Sequence, residues 1–222
     1  MHDDMHNITL RDFVIEGATQ SEPPRDPNSA RRKRSYANAP ARTGINFAAQ
    51  SANQMSDLHL KHLTVQNCTL DGVAIRGAKN ITITACDFSD SGSSVVPGPG
   101  QQHNLLITRS NTITVQNSRL DTSPYGIDIS HCQDITINNN ETARNALHGI
   151  HITESTNAIV TNNLTEGNDA HGIACDTQMD GCHQIQINNN IAQNNGQAGI
   201  HTNQTTQADI QNNTVTDNGQ QA

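Results

Sequence analysis

Short alternating pairs of apolar residues recur along this chain at a near-constant interval. Gly126, Gly149, Gly172 and Gly199 open four related units, spaced 23, 23 and 27 residues apart. Each unit holds two segments in which apolar and polar residues alternate, then an Asn-rich turn. Alternation of period two sends neighbouring side chains to opposite faces of a strand. The inward pairs of the first segment read Val73 and Ile75, Leu105 and Ile107, Ile127 and Ile129, Ile150 and Ile152, Ile173 and Cys175, Ile200 and Thr202. In the second segment they read Leu63 and Val65, Ile81 and Ile83, Ile113 and Val115, Ile135 and Ile137, Ala158 and Val160, Ile185 and Ile187. Leu70, Phe88, Leu120 and Val215 supply a third inward position. Units this small bury their apolar faces only by stacking on one another. The pattern predicts an all-β, right-handed, single-stranded parallel β-helix built from rungs of about 22–27 residues.

Three stretches interrupt the period. Residues 18–43 form a long insertion with several prolines and the run ARRKR, residues 91–103 a Pro/Gly loop, and residues 177–182 lengthen one rung. Loops on a rigid scaffold are where function concentrates. The basic run reads either as a solvated loop or as a clamp for an anionic glycan. The turn asparagines tolerate the left-handed conformation a sharp corner needs, and their amides can bond neighbouring backbone. Cys68 and Cys86 are placed at the same turn position as Asn140, Asn163, Asn190 and Asn213.

Composition narrows the picture. Hydrophobic residues make up 33% of the chain and aromatics 2%. Such values suit narrow aliphatic stacks better than a broad core. All 222 residues are expected to form a single β-helix domain. The net charge is −8 and no Lys or Arg follows Arg144, so no basic stripe is available for nucleic acid. No apolar run is long enough to span a membrane, and MHDDMHNITL does not read as a secretion signal. Strand residues begin almost at once, at Ile8, Leu10, Phe13 and Ile15, so further N-terminal sequence carrying a cap is expected. Five cysteines with no C-x-x-C pair give neither a disulfide framework nor a zinc pattern. No cofactor is implied, and a monomer is expected.

The candidate chemistry lies on the outward side of the first segments. One outward column reads Ala74, Leu106, Asp128, His151, Ala174, His201, and the next Arg76, Thr108, Ser130, Thr153, Asp176, Asn203. The residues before each segment are Asp71, His103, Tyr125, His148, His171 and Ala198. With rungs about 4.8 Å apart, Asp128 and His151 become direct neighbours, with His148, His171 and Asp176 close by. A carboxylate beside an imidazole raises its pKa and can form an acid–base pair near neutral pH. Asp128 and Asp176, two rungs and roughly 10 Å apart, would instead suit an inverting glycoside hydrolase. A surface that binds glycan without turnover, and a plain polar surface, are the competing readings. A metal is not expected: His148 and His171 could share an ion, but His151 and His201 stand two rungs apart. An ice-binding array is discounted, because the row Thr82, Thr114, Thr136, Ile159, Gln186, Asp209 loses its threonines.

Two segments carry a family resemblance. YGIDISH, from Tyr125 to His131, resembles the Tyr-Gly-Phe-Asp-Pro-His motif of mannuronan C5-epimerases. NDAHGI, from Asn168 to Ile173, is similar to their Asn-Asp-Arg-His-Gly stretch. Both fit the pectate-lyase-like β-helix superfamily, with its polysaccharide lyases and polygalacturonases. The resemblance implies functional roles for Tyr125, Asp128 and His171, a polysaccharide partner, and an extracellular or cell-surface location. The motif departs in lacking its Pro, in setting His131 one place late, and in having Ala170 for Arg. A further family Asp would fall at Thr153, beside Glu154, and the order of N-terminal elements would move an epimerase site toward Asp71 and Arg76. The expected catalytic set is Tyr125, Asp128, His148, His151, His171 and Asp176, with Arg76, His131, Glu154 and His201 binding substrate. The expected function is lyase, hydrolase or epimerase chemistry on an acidic polysaccharide. The alternative is a non-catalytic adhesin-like or fibre-like module.

Overall fold

The computed structural model describes residues 5–16, 43–49, 55–92, 102–177 and 181–219. Most of the insertion 18–43, the middle of the loop 91–103 and residues 178–180 lie outside them. The described strands form three parallel sheets, two of eight strands and one of seven. After the first, partly described coil, each coil runs from a strand of the seven-stranded sheet, here the site sheet, to a six- or seven-residue strand of a second sheet and then a three-residue strand of the third. Within each sheet every strand between the two edge strands pairs with its counterpart one coil earlier and one coil later. This is a right-handed parallel β-helix.

The inward residues stack in register. In the second sheet the column reads Ile8, Leu58, Ile81, Ile113, Ile135, Ala158, Ile185, Ala208. Most of these are fully buried, and together with the site-sheet pairs they form one continuous aliphatic core. Burying a side chain of this size contributes about 1.5–3 kcal/mol. The steps along the column are 50, 23, 32, 22, 23, 27 and 23 residues. The three long steps coincide with the three interruptions in the sequence.

One rung differs from its expected assignment. Leu58 and Leu60, not Leu63 and Val65, pair with Ile81 and Ile83. Val65 lies in the third sheet opposite Phe88, the place expected for Leu70. The segment LHLKHLTVQ carries two alternating runs back to back, so periodicity alone does not say where the corner falls. His62, in left-handed conformation at φ 51, makes that corner. Thr142, Thr165 and Ala192 fill the third-sheet column between Leu120 and Val215.

The paired asparagines of each turn divide two tasks. Asn139, Asn162 and Asn189 adopt the left-handed conformation. The following residues, Asn140, Asn163 and Asn190, turn inward and bond from coil to coil. The Asn163 side-chain oxygen accepts the Asn140 backbone N–H at 2.9 Å, and its amide donates to Ile137 O at 2.9 Å and to Asn190 Oδ1 at 3.0 Å. Asn145, Asn168 and Asn195 repeat the arrangement at the next corner. Cys86 belongs to the first ladder, its N–H donating to Ser118 Oγ, but Cys68 stands at the Asn145 corner, where its carbonyl accepts the Gly92 N–H. All five cysteines are free thiols and buried.

Candidate functional site

The outward columns of the site sheet fall in the expected register. Leu106, Asp128, His151, Ala174 and His201 align on successive rungs, as do Ser130, Thr153 and Asp176. Tyr125 aligns with His103 one rung earlier.

Side chains from these columns join both along a column and diagonally between columns. Asp71 Oδ1 meets His103 Nδ1 at 2.9 Å and also accepts the His103 backbone N–H. His103 Nε2 lies 3.0 Å from Asp128 Oδ2, an ion contact in which the N–H does not point squarely at the oxygen. Asp128 Oδ1 meets His151 Nδ1 at 3.0 Å, and His151 Nε2 meets Asp176 Oδ1 at 3.1 Å. The result is an alternating relay of three carboxylates and two imidazoles. A single imidazole bridges Asp128 and Asp176.

A second array of rings packs over the relay. Tyr125 lies 5.2 Å from His103, 5.5 Å from His148 and 5.3 Å from His151, between ring centroids. His148 stacks on His171 at 5.1 Å and 1°, and His171 on His201 at 4.3 Å and 5°. His148 Nδ1 accepts the His171 backbone N–H, and His171 Nδ1 accepts that of Ala198. Each neutral ring therefore carries its hydrogen on Nε2.

The electrostatics separate the histidines into two kinds. Burial alone would depress the relay imidazoles, but their carboxylates outweigh it. His103 is raised by Asp128 and Asp71, and His151 is pushed up to about 9 by Asp128 and Asp176. Burial likewise opposes ionisation of Asp128, yet His103 and His151 hold it far below the usual carboxylate range. Asp176 is lowered chiefly by its bond to His151. His148 goes the other way, down to about 4, through burial and then repulsion from His151 and His171. His171 is lowered by burial and by His201. Burial raises the Tyr125 phenol to about 12, with Asp128 and Asp176 adding to it. At neutral pH the site holds imidazolium at His151, neutral imidazole at His148 and un-ionised phenol at Tyr125.

The structure thus gathers Tyr125, Asp128, His148, His151, His171, Asp176 and His201 into one cluster. His131 and Glu154 form a separate pair at 2.5 Å, on the corner that follows the site sheet. Arg76 is exposed at the end of its strand, two rungs before Ser130. Sequence reasoning set Asp71 and His103 in the correct column but did not include them in the site. Their signal was an Asp and a His on neighbouring rungs, diagonal to Asp128.

A family model described as "Right handed beta helix region" matches residues 33–175 and 71–222. The chain belongs to the right-handed β-helix family. Comparison with curated proteins gives no match. Solved structures that share the fold include the following two. The periplasmic alginate epimerase AlgG is 18% identical with a TM-score of 0.57, over 71% of this chain and 34% of that one. PfbA, a surface adhesin of Streptococcus pneumoniae, is 15% identical with a TM-score of 0.56, over 76% of this chain and 50% of that one. The chain therefore spans about a third to a half of the proteins it resembles.

Proposed function

We propose that the outward face of the site sheet holds an acidic polysaccharide and transfers protons at a sugar that bears a carboxylate. The observation that carries the reading is His151, a part-buried imidazolium fixed at both nitrogens and packed against a phenol and a neutral imidazole. A preorganised cation of this kind stabilises negative charge that builds on a sugar carboxylate when the neighbouring C–H proton leaves. Tyr125 keeps its proton at neutral pH and serves as a donor, while Asp176, the least buried carboxylate of the relay, receives one. Asp128 orients His151. Hydrolysis is less well supported, since it calls for a carboxyl kept protonated near neutral pH. Asp128 and Asp176 are both lowered instead.

A second reading is retention of the glycan without turnover. It is favoured by His148 and His171, whose Nδ1 atoms are occupied by backbone N–H groups. Their outward Nε2–H groups recur once per rung, as binding donors rather than bases. An extracellular or periplasmic location accords with either reading, as with the two similar structures.

Proton NMR of acidic and neutral polysaccharides before and after incubation tests the reading. Unsaturated uronate signals or inverted C5 signals are expected, and they disappear when Asp128 and His151 are replaced together. Line broadening with no new signals would favour the binding module. Full activity in the double variant would sink the catalytic assignment.

A further inference from the structure

The two carboxylates that hold His151 are not equivalent. Asp128 engages an imidazole with each oxygen, and its side chain is 10% exposed. Asp176 meets His151 through Oδ1, and its side chain is 30% exposed. It is the last residue of the strand Ile173–Asp176, in the rung that sequence insertion lengthens. Its column elsewhere carries Thr108, Ser130 and Thr153, so the fold does not demand an anion there. What the position supplies is a carboxylate oxygen 3.1 Å from the outer nitrogen of a part-buried cation.

We infer that Asp176 is an internal stand-in for a ligand's carboxylate: it occupies the Nε2 side of His151 in the free protein, and the carboxylate of a bound sugar acid replaces it there. The inference rests on the proposed function only for the choice of a sugar acid as ligand. A carboxylate accepts the Nε2–H with the geometry Asp176 already uses, whereas a neutral hydroxyl leaves the Nε2 side of the cation without a counter-charge. Asp128 keeps His151 protonated during the exchange. The released Asp176 loses the bond that lowers it most, so its basicity rises beside the bound sugar. Binding of the carboxylate and readiness of a proton acceptor are thus coupled. Neutral glycans, unable to displace Asp176, are selected against.

The test is titration of sodium glucuronate, and of neutral methyl glucoside, into the full chain and its Asp176→Ala variant at pH 7. The His151 Nε2 resonance is followed in 15N-histidine-labelled protein. An occupied site weakens apparent affinity in proportion to the fraction left open. Asp176→Ala is therefore expected to bind glucuronate roughly tenfold or more tightly than the wild type, with the Nε2 signal shifting on binding and methyl glucoside unaffected. Asp176→Asn keeps the side-chain shape and an accepting oxygen, so it gains in the same direction by less, and it carries the test if the alanine variant does not fold. Asp209→Asn removes a negative charge from the outward face of the second sheet, outside the site. Equal tightening in Asp209→Asn overturns the inference, as does tightening with an unmoved Nε2 signal or no tightening at all. If polysaccharides are not turned over but Asp176→Ala gains glucuronate affinity, proton transfer falls and the stand-in remains. Turnover without that gain keeps proton transfer and removes the stand-in.

Discussion

Asp128 and His151 occupy the same register position on adjacent rungs, and Asp128 Oδ1 meets His151 Nδ1 at 3.0 Å. The rest of the relay is arranged around this contact. Asp128 also faces His103, so one buried carboxylate serves two imidazoles and raises both.

Asp128→Asn removes the shared counter-charge and retains the shape. Removing one partner of a buried ion pair typically costs about 3–5 kcal/mol, and a loss of that order is expected in urea unfolding at pH 7. The His151 titration, followed by NMR, should move down from about 9. An unchanged titration would mean that Asp128 is not its main partner.

Opposite histidine shifts shape the pH profile. His151 is raised from 6.5 to about 9, so its stabilisation is complete below pH 6.5 and is lost as pH climbs through 9. His148 is lowered from 6.5 to about 4, so its contribution is complete above pH 6.5 and is lost as pH falls toward 4. His103 reinforces the alkaline limb and His171 the acid limb. The urea midpoint should peak near pH 6.5 from these groups. His151→Asn should flatten the alkaline side and His148→Asn the acid side, and a midpoint level from pH 4 to 9 contradicts the assignment.

The asparagine ladder gives a test independent of the site. Asn163→Ala strips a buried acceptor from the Asn140 N–H and a donor from Ile137 O. Each orphaned buried group costs about 1–3 kcal/mol, so a total loss of about 3 kcal/mol is expected by chemical denaturation. A loss below 1 kcal/mol would indicate that water replaces the amide.

Gly149 links packing to the site. A Cβ there would lie 2.7 Å from Gly172 O and 2.5 Å from Thr142 Oγ1. The backbone oxygen belongs to the next rung and cannot swing away, so Gly149→Ala must push adjacent rungs apart. Overpacking of this kind costs about 1–3 kcal/mol. Because His151 follows two residues later, its contacts with Asp128 and Asp176 should loosen too, visible as altered His151 ring signals in the folded variant.

The sequence by itself determined the solenoid, its rung length, the three interruptions and the outward columns of the site sheet. In a parallel β-helix those follow from period and alternation, since each residue's neighbour lies one repeat away. It left the Leu58–Val65 rung ambiguous, because two alternating runs met there without an Asn pair to mark the corner. The Asp128–His151 contact already followed from register, but only the tertiary structure decided which side chains meet across columns. Asp71, His103, Asp128, His151 and Asp176 come from three different columns: Asp71–His103 and Asp128–His151 run straight along a column, while His103–Asp128 and His151–Asp176 run diagonally between columns. Register places backbones, but side-chain length and rotamer direction choose the diagonal partner. The same holds for the histidines: one sheet face makes His151 a cation and His148 a neutral ring, because carboxylates flank the first, while burial and repulsion from His151 and His171 act on the second.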